Sequence, residues 1–99
     1  MLKLHAIDGF DWDEHNGPKI SAKHAVEPSE VEQIFFNEPL LLSDDVRHSQ
    51  AEPRFHALGR TMQGRVLHVT FTLRASGALI RVISARDANH KERKRYGEA

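Results

Sequence analysis

Residues Arg65 to Leu73 alternate between polar and apolar along most of their length. Successive side chains of a strand point to opposite faces, so Leu67, Val69, Phe71 and Leu73 share one face and His68, Thr70 and Thr72 the other. A sheet with one apolar face must be covered by another layer. That requirement governs how the rest of the chain is read.

The cover comes from the first half. Asn16-Gly17-Pro18 opens a short helix from about Pro18 to His24, because proline is tolerated at the first helical position. A second helix has Glu27 at the N-cap, Pro28 at N1 and Glu30 at N3, beside the positive end of the dipole. Val26 and Val31 have the spacing of a hydrophobic staple, and Val31, Ile34 and Phe35 form an i, i+3, i+4 stripe suited to packing on a sheet. Glu38-Pro39 closes this segment. Strands are expected at Leu4–Ile7 as a short edge, at 40–43, at 54–60, at 65–73 and at 79–85. A polar loop spans 44–50, and turns fall at 61–64 and 75–77. Asn89 with Glu92 three residues on makes a capping box for a last helix. The predicted order is β-α-α-β-β-β-β-α, an α+β antiparallel meander with helices laid on it, in one domain spanning 1–99.

Charge is neutral in total but strongly divided. Residues 1–53 carry eleven Asp/Glu and four Lys/Arg, a net of −7, and residues 54–99 carry three and ten, a net of +7. Clustered cations such as Lys91, Arg93, Lys94 and Arg95 attract polyanions whatever the total charge. The alternative is that the two halves neutralise each other across one fold, and charge alone does not choose. The absence of Cys excludes disulfides, thiol catalysis and thiolate metal sites. No apolar run approaches the roughly 20 residues of a membrane span, and no signal peptide is evident, which fits a cytosolic protein.

Among motifs that carry chemistry, the seven histidines have no metal-ligand spacing, so neither a metal nor a cofactor is expected. His48, Glu52, Arg54 and His56 form a more suggestive group. If the strand begins before Arg54, then Glu52, Arg54 and His56 line one face at intervals of about 7 Å. Arg81, Ser84 and Arg86 lie on the last strand, and an Arg within an aliphatic strand either pairs with an acid such as Glu52 or faces a ligand oxyanion.

These segments resemble one family. Phe10-Asp11-Trp12-Asp13-Glu14, Lys23-His24-Ala25-Val26, Glu32 through Pro39, Asp45-Val46-Arg47-His48, Glu52-Pro53-Arg54-Phe55 and Gly59-Arg60 occur in the order and spacing of BrnT-type toxins. Val82 through Ala88 and Glu92-Arg93-Lys94-Arg95-Tyr96 complete the pattern. The resemblance implies a RelE-like fold, ribonuclease activity that blocks translation, and a DNA-binding antitoxin of the BrnA type. A toxin homodimer within such a complex is a further expectation. The family usually has Gly where this chain has Ala25, and Ala in a left-handed C-cap costs on the order of 1 kcal/mol.

On this reading the chain is a metal-independent endoribonuclease in which the 2′-OH of RNA attacks the adjacent phosphate. Glu52 or His48 is the candidate base, Arg54, Arg81 and Arg86 the phosphate clamps, and His24 or His56 the acid. Lys91, Arg93, Lys94 and Arg95 steer RNA without taking part in the chemistry. The alternative is a non-catalytic module that binds nucleic acid or protein, its polar residues serving only the sheet. A neighbouring gene for a short DNA-binding protein would favour the enzyme.

Overall fold

The alternating run becomes β4 (Val66–Arg74), the middle strand of a five-stranded sheet. A computed structural model describes residues 4–48 and 51–99 of the chain. In sequence order the elements are β1 (Gly9–Phe10), α1 (Gly17–His24), α2 (Pro28–Ile34), β2 (Leu41–Asp44), β3 (Phe55–Arg60), β4, β5 (Leu79–Asp87) and α3 (His90–Gly97). The order read from the sequence is the order found. Across the sheet the strands run β1-β5-β4-β3-β2.

Two expectations change. Leu4–Ala6 is a turn of 3-10 helix, not an edge strand, closed by the Ile7 amide donating to the Leu4 carbonyl at 3.0 Å. Leu4 and Ile7 stand three apart, the repeat of a 3-10 turn, and both pack on the core. Strand pairing starts later, at Gly9 and Phe10, and it is parallel to Leu79 and Ile80 of β5. The sheet is therefore mixed, antiparallel from β2 to β5 with one short parallel edge. Ser49 and Gln50, at the end of the expected polar loop, lie outside the described residues.

Helices α1 and α2 cover the apolar face. Ile20, Val26, Val31 and Ile34 are buried against Ala57, Leu67, Val69, Phe71, Ile80, Val82 and Ala85. Burying each large aliphatic or aromatic side chain stabilises the fold by roughly 1.5–3 kcal/mol, so this layer is the main source of stability. Val26 and Val31 are both fully buried, as a staple requires. Glu27 and Glu30 form the capping box of α2. Helix α2 sits so close to β3 that a Cβ on Gly59 would lie 2.9 Å from the Ile34 Cβ, and only glycine fits there.

Strand β5 carries an irregularity that sequence periodicity cannot show. Thr70 pairs with Ser84 and Phe71 with Val82, so Ile83 is an extra residue in the ladder. The bulge resets the alternation. Ile80 and Val82 face the core before it and Ala85 after it, while Arg81, Ser84 and Arg86 follow Thr72, Thr70 and His68 onto the opposite face. Past the short β1, the outer edge of β5 is met by Asn16, whose buried amide donates to the Val82 carbonyl at 3.1 Å.

The charge division is resolved in part by pairing between the halves. Arg65 meets Glu30, Arg74 meets Glu52, and Arg81 meets Asp11 and Asp13. Helix α3 packs through Tyr96 on Leu58 and Ala88, and the Tyr96 hydroxyl donates to the Pro39 carbonyl at 2.7 Å.

Ala25 ends α1 in the left-handed region, with φ of 53°. Ala25→Gly is expected to raise stability by up to about 1 kcal/mol, because it relieves that strain. Gly59→Ala is expected to lower stability by about 1–3 kcal/mol through overpacking. Urea unfolding midpoints of the two variants check both signs.

Candidate active site

The face of the sheet opposite α1 and α2 holds the histidines. His56 on β3 lies beside Thr70 in register, which makes His68 on β4 its diagonal neighbour. Their rings meet with Nδ1 of His56 2.8 Å from Nε2 of His68. From the other side comes the turn after β2. Asp45 donates its amide to the Arg54 carbonyl, and a short 3-10 segment, Val46–His48, carries the chain back over it.

Asp45 is the centre of this arrangement. Its side chain is only 9% exposed, and Oδ2 lies 3.0 Å from Nε2 of His56 and 3.1 Å from Nδ1 of His48. Burial alone would raise the Asp45 carboxyl, but the hydrogen bonds from His56 and His48 outweigh it and hold the group below its ordinary value. An ionised carboxylate accepts only, so it fixes a proton on Nε2 of His56 and on Nδ1 of His48. Nε2 is then the lone-pair nitrogen of a His48 side chain that is 64% exposed. The geometry is that of a carboxylate orienting an imidazole.

The network continues to α3. Nε2 of His68 lies 3.8 Å from Glu92, and Glu92 takes a two-pronged bond from Arg86, at 2.8 and 3.0 Å. The Arg86 fork, working against burial and helped by the Asn89 amide, holds the Glu92 carboxyl down at about 2. His68 is shifted down as well, first by burial and then by the nearby Arg86. Two shallow depressions flank the histidines, of about 340 and 300 Å³. Asp45, His56 and His68 line both. Arg47 and Arg95 border the first, and Arg54, His48 and Arg86 border the second.

Of the residues expected at a site, the structure thus gathers His48, Arg54, His56 and Arg86 on one surface. Three are set elsewhere. Glu52 is paired with Arg74 and lines neither depression, because β3 starts only at Phe55 and Glu52 falls before the regular alternation. Arg81 pairs with acids, one of the two alternatives expected of it, but its partners are Asp13 and Asp11, at 3.0 and 3.4 Å, and not Glu52. His24 lies at the end of α1, beside Ile83 and Ser84 in a separate depression of about 130 Å³. On α3, Lys91, Arg93, Lys94 and Arg95 are all exposed, and Arg93 also donates to the Ala88 carbonyl. Among the described residues, no group of three or more His, Asp or Glu side chains is arranged to hold a metal ion, and no helix is long and apolar enough to cross a membrane.

Sequence reasoning missed Asp45, His68 and Glu92 as parts of the cluster. Asp45 and His48 stand three apart, and the Asp45 side chain also accepts the His48 amide at 3.3 Å, a local signature that could have been read. His68 needed the strand register. Glu92 was legible only as a helix cap.

Comparisons with known proteins agree with this architecture. The family described as "Ribonuclease toxin, BrnT, of type II toxin-antitoxin system" matches residues 12–92. The crystal structure of the Brucella abortus ribonuclease toxin, BrnT, solved at 1.1 Å, is 20% identical and superposes with a TM-score of 0.62, over 83% of this chain and 97% of that one. That likeness is one of fold. No curated protein matches the chain.

The Arg86–Glu92 pair gives a pH test. Glu92 binds its proton less readily when folded, at about 2 against an ordinary 4.5, so its contribution is complete above pH 4.5 and drains away as pH falls toward 2. Allowing for solvent screening of the partly exposed Arg86, the loss should be about 1–2 kcal/mol. Glu92→Gln, which can still cap the helix, should cost a similar amount at neutral pH and flatten the acid limb. Denaturant unfolding from neutral to acid pH measures both.

Proposed function

The chain belongs to the BrnT family of ribonuclease toxins of type II toxin–antitoxin systems, and from that premise we propose that it cuts RNA without a metal ion, using the histidine surface. The observation that carries the reading is the buried Asp45 carboxylate held between His48 and His56. Such a carboxylate fixes which imidazole nitrogen is bare, the requirement for a base at neutral pH.

In this mechanism Nε2 of His48 takes the proton from the 2′-OH as that oxygen attacks the adjacent phosphorus. The bond from phosphorus to the 5′-oxygen breaks, and His56 returns a proton to the departing oxygen. The products are a 2′,3′-cyclic phosphate and a 5′-hydroxyl. Arg54 supplies positive charge beside the phosphorane oxygens, where a guanidinium fork suits phosphate geometry, while the Arg86 fork is closed on Glu92 and holds that side of the surface in place. Glu52, engaged by Arg74, gives up the role of base to His48. Arg81, engaged by Asp11 and Asp13, serves the fold. His24 stands apart from the reaction.

Lys91, Lys94 and Arg95 on α3 steer the RNA backbone, with Arg95 nearest the histidines. A type II system implies an antitoxin. We take the partner to be a DNA-binding protein of the BrnA type, acting in the cytoplasm, and the complex to contain two toxin copies.

His48→Ala and Asp45→Asn should each lower cleavage by about 10²–10⁴-fold while folding is retained, as removal of a base or of its orienting group does. Replacing Lys94 and Arg95 by Gln should instead weaken RNA binding and flatten its salt dependence, leaving cleavage of bound RNA largely intact. Cleavage should survive EDTA and leave cyclic phosphate ends. Rescue of an EDTA-treated enzyme by Mg²⁺, 3′-hydroxyl products, or full activity in His48→Ala would sink the mechanism. Expression of the chain alone should arrest growth, and the Asp45→Asn variant should not.

A further inference from the structure

The depression of about 130 Å³ beside His24 shares two wall residues, Ile83 and Ser84, with the one of about 300 Å³ at the histidines. That one shares Asp45, His56 and His68 with the depression of about 340 Å³. The three adjoin as links of one path. Arg47 and Arg95 border it at one end, the histidines lie in its middle, and Lys19 and Lys23 of α1 border it at the other. The bulge of β5 makes the crossing. Strand β1 pairs only with Leu79 and Ile80, and Asn16 meets the edge at Val82, so no strand flanks β5 where Ile83 and Ser84 lead from the histidine face to α1.

The two lysines stand out from the other cations near the acidic half. Arg65, Arg74 and Arg81 are all paired with its carboxylates. Lys19 and Lys23 are exposed, and among the described residues neither forms an ion pair or a side-chain hydrogen bond. Asp87, the carboxylate close enough to feel the charge of His24, is already gripped by Arg65. Lys23, in the last turn of α1, suits the negative end of the helix dipole. Lys19 does not. It is the third residue of α1, at the positive end, and no acidic residue in the first turn offsets it. Helix stability favours an acid there, and residues 1–53 hold eleven acids against four cations. A cation that the helix disfavours and no acid holds is accounted for by an anionic ligand.

The shape of this end of the path defines that ligand further. Lys19 and Lys23 stand one helical turn apart, about 6 Å along the axis, on the same side of α1. Below them the wall is aliphatic, from Ile20 and Ile83. Cations at the rim over an apolar wall suit a nucleotide chain, with phosphates at the lysines and ribose or base on the isoleucines.

We propose that Lys19 and Lys23 form an anchoring subsite for an RNA strand, holding backbone phosphates away from the one that is cut. The inference rests on the ribonuclease reading of the histidine surface. The lysines touch no reacting atom. They fix where the strand lies as it leaves the histidines over Ser84, so their effect falls on substrates long enough to span the path.

The test compares the full chain with its Lys19→Gln/Lys23→Gln variant on two probes, a dinucleotide and a single strand of about ten nucleotides. Uncleavable 2′-O-methyl forms report binding, and ordinary RNA reports cleavage. The variant should bind the longer strand more weakly. Its slope of log affinity against log salt should be smaller by about 1.4, the share of two phosphate contacts on a single strand. KM for that strand should rise with little change in the turnover number, and Lys19→Arg/Lys23→Arg should restore it. The dinucleotide should be bound and cut equally by all three proteins. In the wild-type chain the longer probe should shield Lys19 and Lys23 from acetylation, read by mass spectrometry, and poly-glutamate of equal charge should not. Unchanged binding of the longer strand, or equal losses on both lengths, would overturn the inference while leaving the ribonuclease reading intact. Equal shielding by poly-glutamate would do the same, by marking a patch for any anion, an acidic protein included. A wild-type chain that neither binds nor cuts RNA would overturn that reading, and the subsite with it.

Discussion

The guanidinium of Arg65 holds the two layers of this protein in register. Nε and one terminal nitrogen grip Asp87 at the end of β5, at 2.7 and 3.1 Å. The other terminal nitrogen reaches Glu30 of α2, at 3.1 Å, and the carbonyl of Ala25, at 3.0 Å. One planar group thus joins the end of α1, the first turn of α2 and the last residue of β5. The fork suits this use because its donors diverge in one plane and its charge is never lost. The hydrogen bond with Asp87 is the main reason that the guanidinium holds its proton more firmly than usual. Where β5 ends decides where α3 begins, and α3 carries Glu92 to the histidines. The site therefore depends on a contact made on the other side of the sheet.

The opposing charges of the two halves have two separate outcomes. Much of the acid in the first half is spent on Arg65, Arg74 and Arg81 of the second, and those pairs hold the tertiary structure. The cations of α3 are left at the surface. Neutralisation between the halves thus holds for one part of the fold, while the cations of α3 stay exposed in another.

The fold was legible wherever a local signal was strong. The N-cap at Glu27, the Asn89/Glu92 capping box, the staple of Val26 on Val31 and the alternation of Leu67, Val69 and Phe71 each depend on neighbours within a few residues, and each is found as read. The left-handed cap at Ala25 was equally local. What could not be read was long-range. The bulge at Ile83 exists only as a mismatch between two strands, and it decides that Arg81, Ser84 and Arg86 share a face. The 56–68 histidine contact follows from strand register. Glu52 was misjudged because alternation was extended three residues beyond the point where β3 begins. Asp45 lies within a segment that already stood out, but its burial between two rings is a tertiary fact.

Glu92 closes the Asn89 capping box, clamps Arg86 and flanks His68 with a single carboxylate. Those three functions cannot be tuned one at a time. Unwinding the first turn of α3 withdraws the counter-charge from Arg86 and the acidic neighbour from His68 in the same motion, so the helix and the histidine surface form one cooperative unit. A ligand that gripped α3 hard enough to fray its start would rearrange the histidine face without ever touching it, and one that tightened the cap would stiffen that face in turn.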